Sequence, residues 1–118
     1  GTSFYPLGTI EYQGEWEWGE RHGRGVFYCG GDTKYEGEFK SGKRSGDGKE
    51  YYNGKIRYQG KWKHGQRHGH GAEYDVHGQT VYKGEWEHGK RHGHGAEYDV
   101  HGQTVYEGEW DMGFHYGK

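Results

Sequence analysis

Aliphatic side chains are scarce in this 118-residue chain: Leu, Ile and Val number only eight, and 12 when Phe is added. That content argues against an ordinary aliphatic core and, taken alone, suggests disorder. A single cysteine, Cys29, excludes an intramolecular disulfide and a cysteine metal cage, and fits a reducing compartment. No run is apolar enough to span a membrane, and no secretory signal is visible. The first residue is not Met, as expected of a segment of a longer protein. Charge is nearly balanced, with a net of −2, so the chain lacks the cationic excess of a nucleic-acid binder.

What the chain has instead is aromatic and periodic. Of its 33 hydrophobic residues, 21 are Phe, Trp or Tyr, and glycine numbers 26. Residues 64–87 recur as 88–111 with 21 of 24 positions identical; only 66/90, 83/107 and 87/111 differ. A wider period encloses this block. Tyr12, Tyr35, Tyr58, Tyr82 and Tyr106 stand 23 or 24 residues apart. Glycine follows each two residues on, and an aromatic ring four on: Trp16, Phe39, Trp62, Trp86 and Trp110. Another glycine lies seven residues on, then a G-x-G pair, then Tyr28, Tyr51, Tyr74 or Tyr98. A fixed period in this range indicates a stacked array.

One copy reads as a β-hairpin. In "VYKGEWE" (81–87), Tyr82, Gly84 and Trp86 share one face, and Lys83, Glu85 and Glu87 the other. "HGKRHG" (88–93) is a turn flanked by glycines, "HGAEYDV" (94–100) alternates again, and "HGQT" (101–104) turns back. Glycine is entropically costly in a strand, and an aromatic ring laid over the bare backbone offsets the cost. Each ring can remove ~150–250 Å² from water. One hairpin still recovers less than its ordering costs, so the copies must stack to fold.

These residues resemble a known family. "YEGEF", "YKGEW" and "YQGKW", each followed by runs like "GKRHGHG", are similar to MORN (membrane occupation and recognition nexus) repeats over about residues 12–117. The resemblance implies an elongated, twisted antiparallel sheet of successive hairpins with an aromatic-lined groove. It also implies binding or scaffolding without enzymatic activity, toward phospholipid membranes, protein partners or a second copy. The expected fold is therefore all-β, a single-layer sheet of about nine strands. The expected segments are a lead-in at 1–11, repeats at 12–34, 35–57, 58–81 and 82–105, and a partial repeat at 106–118. Departures from the pattern are Ser45, where sister repeats carry His, and the half repeat ending "GFHYGK".

Catalysis has no foothold, because an active site needs different groups converging once and here the same groups recur evenly. The G-x-G pairs precede no helix, so they form no phosphate loop, and no cofactor is expected. His68 with His70, and His92 with His94, are the candidate metal-ligand pairs. The family position of His22, His68 and His92 favours packing within the turn, and the expectation is no physiological metal.

Charge is unevenly distributed. The net is −4 over 1–39, +7 over 40–67 and −5 over 68–118. Lys55, Arg57, Lys61 and Lys63 alternate, and so would share the face opposite Tyr58 and Trp62 if their strand runs unbroken. Lys43, Arg44 and Arg67 fall in turns. Together they form a candidate band for an acidic partner or anionic headgroups, against the alternative of a solvated face that keeps the sheet soluble. The candidate groove rings are Tyr12, Trp16, Tyr28, Tyr35, Phe39, Tyr51, Tyr58, Trp62, Tyr74, Tyr82, Trp86, Tyr98, Tyr106 and Trp110. A protein scaffold that accepts a helix or extended peptide is favoured, because acidic residues from Glu85 to Asp111 oppose a broad cationic plane. A peripheral membrane module is the alternative, and a duplicated or engineered repeat without a specific ligand is the third. The expected setting is cytoplasmic, with membrane or cytoskeleton association. The strand at 105–111 is expected to be a sheet edge, giving a monomer or a weak dimer.

Overall fold

The computed structural model describes residues 1–4, 10–29 and 32–116. Residues 5–9 of the lead-in, Gly30 and Gly31 of the first repeat, and residues 117–118 of the last lie outside the described residues. The fold is one open antiparallel sheet in which every strand pairs with its sequence neighbours. Its strands are β1 (Thr2–Phe4), β2 (Ile10–Glu17), β3 (Glu20–Cys29), β4 (Asp32–Lys40), β5 (Lys43–Tyr52) and β6 (Lys55–Lys63). They continue as β7 (Gln66–Tyr74), β8 (Thr80–Glu87), β9 (Lys90–Tyr98), β10 (Thr104–Asp111) and β11 (Phe114–Tyr116). The body measures 50 × 28 × 18 Å.

Among the described residues eleven strands replace the expected nine or so, because each end carries a short extra one. Thr2 and Ser3 of the lead-in pair with Gln13 and Tyr12. The expected edge at 105–111 is partly covered, since Asp111, Trp110 and Glu109 pair with Phe114, His115 and Tyr116. The chain can return so soon because Met112 and Gly113 both adopt positive φ, 49° and 97°. That conformation makes a two-residue turn of the type matched to strand twist. The same turn closes the other repeats at Trp18–Gly19, Ser41–Gly42, His64–Gly65 and His88–Gly89.

The hairpins of the four full repeats are bulged. In the first, Gly14 pairs with Gly25 and Trp16 with Arg21, so His22, Gly23 and Arg24 face the single residue Glu15. Gly23 there has φ of +70°, and a Cβ on it would collide with the Glu15 carboxylate. The hairpin tips lean back onto the preceding repeat. Gly42, Gly65, Gly89 and Gly113 donate their N–H groups to the carbonyls of Arg21, Arg44, Arg67 and Arg91, at 2.8–3.0 Å. These bonds tie each repeat to the next, as a stacked array requires.

Glycine also forms a continuous cross-strand row. Gly14, Gly25, Gly37, Gly48, Gly60, Gly71, Gly84, Gly95 and Gly108 pair in succession from β2 to β10. A Cβ on Gly60 or Gly84 would lie 2.4 Å from the neighbouring glycine Cα, so no other residue fits this line. Tyrosine rings lie over the row. Tyr12, Tyr35, Tyr58 and Tyr82 are almost fully buried, and each hydroxyl donates to the carbonyl three residues ahead.

Candidate functional site

The two faces of the sheet are chemically different. On the first, Tyr12, Tyr35, Tyr58, Tyr82 and Tyr106 alternate with Trp16, Phe39, Trp62, Trp86 and Trp110 in one edge-to-face ladder, with centroids 5.1–5.4 Å apart. Edge-to-face contact sets the positive ring edge against the negative ring face. Trp62, Trp86 and Trp110 donate Nε1–H to the carbonyls of Gly48, Gly71 and Gly95 in the preceding repeat. Among the described residues Trp16 meets one ladder ring, Tyr12, and it is 39 % exposed.

A lattice of charge covers this ladder. The guanidinium of Arg67 lies 4.6 Å from the Tyr58 centroid and 5.0 Å from that of Trp86. It also reaches Glu50 at 2.8 Å and Glu73 at 3.7 Å. Arg91 repeats the arrangement with Tyr82, Trp110, Glu73 and Glu97, and Arg44 with Tyr35, Trp62 and Glu50. The ends differ. Phe27 stands in the carboxylate position of the first repeat, under Arg21. His115 takes the arginine position of the last, 2.8 Å from Glu97 and stacked on Tyr106 at 3.9 Å. Burial of the phenol pushes Tyr82 up to about 12, and raises Tyr35 and Tyr58 further, because it disfavours the anion.

The ladder rings therefore do not line a groove, contrary to the sequence expectation. Their own edges and the arginines seal them. The open groove lies on the opposite face, with a volume of about 810 Å³. The backbone of the glycine row forms its floor from Gly48 to Gly95, and side chains from β3 to β10 line it. Of the predicted groove rings, Tyr74 and Tyr98 line it. Tyr51 donates to Glu36, a lining residue, at 3.1 Å, and Tyr28 is the equivalent half-buried ring of β3.

One cross-strand row along the groove runs Val26, Glu36, Lys49, Gln59, Ala72, Lys83, Ala96, Glu107. A second row, beside the bulges, includes Arg24, Glu38, Asp47, Lys61, His70, Glu85 and His94. In that row a glutamate carboxylate accepts the bulge N–H: Glu15 from Arg24 at 3.3 Å, Glu38 from Asp47 at 3.0 Å, and Glu85 from His94 at 3.3 Å.

The basic band is not a single surface. Arg44 and Arg67 belong to the lattice over the rings. Lys61 pairs with Asp47 at 2.9 Å, a hydrogen-bonded contact that raises its pKa. Strand β6 does not run unbroken, because Arg57 is an extra residue between the Tyr58–Glu50 and Ile56–Tyr51 pairs. That bulge turns Arg57 to the carbonyl of Tyr74 and Lys55 to that of Val76. Lys43 and Lys63 are exposed beside their turns.

The histidines take different surroundings in the two copies. His92 meets Asp111 at 3.5 Å and Glu87 at 3.9 Å, and His94 meets Glu109 at 3.5 Å and Glu107 at 3.9 Å. His70 lines the groove, while His68 is half-buried next to the bulge glycine Gly69. Among the described residues no three His, Cys, Asp or Glu side chains gather in a metal-binding cluster.

The family model "MORN repeat" matches residues 12–33, 35–55, 58–76, 82–100 and 106–115. The chain belongs to the MORN repeat family. No curated protein matches this sequence. MORN repeats are in general non-enzymatic modules that scaffold or bind membranes. In this MORN sheet the tyrosine and tryptophan of the repeat motif are spent on the sealed ladder. The opposite face carries residues that vary from repeat to repeat.

Proposed function

We propose that this chain is a non-catalytic scaffold that holds a segment of a partner protein, a helix or extended peptide, in the groove opposite the aromatic ladder. The observation that carries this reading is the shape and chemistry of that face. It is a long open channel with a glycine floor, small side chains at Ala72 and Ala96, and half-buried rings at Tyr74 and Tyr98. Lining of mixed charge, with three basic and four acidic residues besides His70 and His94, suits a polypeptide better than a uniformly anionic bilayer. The membrane reading has less support, since Arg44, Arg67 and Lys61 are already paired within the chain. Nucleic acid has less still, because the ladder rings are buried and cannot stack on bases.

Selection from a displayed peptide library tests this. Binders should be enriched on the wild-type chain and lost on Ala72→Trp, whose indole fills the groove, with both proteins melting alike. Peptides that bind both proteins equally, or no enrichment at all, would overturn the reading. Tight, salt-sensitive sedimentation with phosphatidylserine vesicles would favour the membrane module instead.

A further inference from the structure

The groove contains two features that call for the same chemical group. Lys83 stands between Ala72 and Ala96 in the cross-strand row and forms no ion pair among the described residues. Its cross-strand neighbours are too short to reach its ammonium, and the half-buried Ala72 leaves open floor on one side, while Ala96 on the other is already buried. It also lines a second cavity of about 700 Å³ with Tyr98, Val100 and Gln79, so one cation faces both hollows. Position 83 is one of three at which the duplicated blocks differ, and the equivalent residue is Glu107.

The second feature lies at the bulge of the third repeat. In the first, second and fourth repeats a glutamate of the same hairpin caps the bulge N–H. In the third, Lys61 replaces that glutamate and turns its ammonium to Asp47. The N–H of His70 therefore receives no carboxylate from its own hairpin. Both His70 and Lys83 line the groove, and they sit on adjacent paired strands, where His70 pairs with Glu85 and Ala72 with Lys83.

Resting on the reading of the groove as a peptide site, we propose that the third and fourth repeats bind a partner segment bearing acidic side chains next to an apolar one. One carboxylate pairs with Lys83. Another completes the bulge by accepting the N–H of His70, as Glu15, Glu38 and Glu85 do in their own repeats. The apolar side chain lies over the half-buried Ala72 beside Tyr74. A carboxylate is the indicated group rather than a phosphate, because the three sister bulges already select one. A charge-assisted hydrogen bond to a backbone N–H is stronger than a neutral one, and shielding within the groove strengthens it further. Acids at Glu36, Asp47, Glu85 and Glu107 limit how many carboxylates the segment can carry, which gives it a register rather than a general attraction.

The test uses peptides selected on the wild-type chain, synthesised and titrated against three variants. Lys83→Glu reproduces the residue of the sister block, so the sheet accommodates it; it should weaken binding by at least about tenfold, one charge-assisted contact. Lys61→Glu should let the third repeat cap its own bulge and weaken the same peptides, with a small fall in melting temperature because it sets a carboxylate opposite Asp47 in place of the ion pair. Lys83→Arg should retain binding. Exchanging for lysine only the acid of a selected peptide that pairs with Lys83, and keeping the one that meets the His70 N–H, should restore binding to Lys83→Glu. Groove-dependent peptides without acids, or indifferent to both lysine variants, would overturn this proposal and leave the general groove reading intact. Absence of any groove-dependent peptide would defeat both. Equal loss of binding to phosphatidylserine vesicles in Lys83→Glu, with no peptide affected, would make the cation a headgroup site and also overturn the proposal.

Discussion

Tyr82 lies across Gly95 so closely that a Cβ on the glycine would stand 2.1 Å from the phenolic oxygen. The hydroxyl is held there by the carbonyl of Glu85 at 2.8 Å. Trp86 and Trp110 fix the ring from its two sides, and Arg91 covers its face at 4.7 Å. Ring and glycine thus specify each other, and the same relation recurs at Tyr35 with Gly48 and Tyr58 with Gly71.

Gly95→Ala is expected to destabilise the sheet by about 1–3 kcal/mol, the usual cost of overpacking a well-filled interior. Neither partner can yield cheaply, since the strand is paired on both sides and the ring is pinned by its hydroxyl. Gly89→Ala is a poor control because of its positive φ. Gln103→Ala, at an exposed loop position, is a suitable one. Denaturant midpoints of the two variants measure the difference.

Trp62 sits between Tyr35 and Tyr58 and donates to Gly48 at 3.2 Å. Trp62→Ala should cost ~3–5 kcal/mol, as removal of large core rings does. Trp62→Phe should cost only about 1 kcal/mol beyond the lost volume, the worth of one hydrogen bond. Phe39 already occupies the equivalent place in the second repeat. Equal melting of all three proteins would mean the ladder is not the core.

Much of this was legible in the sequence, because the Tyr-x-Gly-x-aromatic frame and the x-Gly turns are local signals with a fixed period. The hairpins, the ring-over-glycine contact and the open sheet followed from them. Which face stays open did not follow. The bulges set three residues of one strand against one of the next, as His22–Arg24 against Glu15. Alternation read along each strand separately cannot register two strands across such a step. The arginine lattice was also missed, although its signal is present. Arg21, Arg44, Arg67 and Arg91 each follow the repeat tyrosine by nine residues, with His115 in the fifth copy. Glu50, Glu73 and Glu97 follow it by fifteen, with Phe27 in the first. Reading Arg44 and Arg67 by charge alone places them in a candidate band for an acidic partner or anionic headgroups. Reading them by period places them over the rings.

Arg67→Lys separates those two roles. A solvated cation would tolerate the change, but the guanidinium here stacks on Tyr58 and bridges Glu50 to Glu73. An ammonium on a flexible stem cannot keep all of these contacts. The expected loss is about 1–2 kcal/mol, from a partly desolvated cation–π contact and a charge-assisted hydrogen bond. A double-mutant cycle with Glu73→Gln should show coupling, and strictly additive effects would show that the lattice contributes nothing.

Trp18 is 91 % exposed and held at φ of 54°, a conformation unfavourable for a bulky residue. The loop at Asn53–Gly54 has the same geometry with the residue pair best suited to it. Trp18→Asn should therefore stabilise the chain by roughly 0.5–1 kcal/mol, part of the left-handed penalty. Little burial is lost with so exposed a ring. A lower melting temperature for this variant would show that Trp18 packs in a way its exposure does not suggest.

The buried tyrosines make the sheet sensitive to alkali. In the unfolded chain a tyrosine ionises near 10, whereas burial holds Tyr82 at about 12 and raises Tyr35 and Tyr58 beyond it. Between these values the folded state binds more protons than the unfolded one, so stability falls as pH rises. The stabilising difference is fully present below pH ~10 and is lost as pH climbs through the folded values. Chemical denaturation should give a flat plateau up to about pH 10 and a steep decline above it. Phenolate absorbance should rise in two stages, the second coinciding with loss of β-sheet circular dichroism. Tyr82→Phe removes one of the protons but also the hydrogen bond to Glu85, so it should lower the plateau and make the alkaline decline shallower. A decline as steep as in the wild-type chain would show that this tyrosine does not keep its proton in the fold.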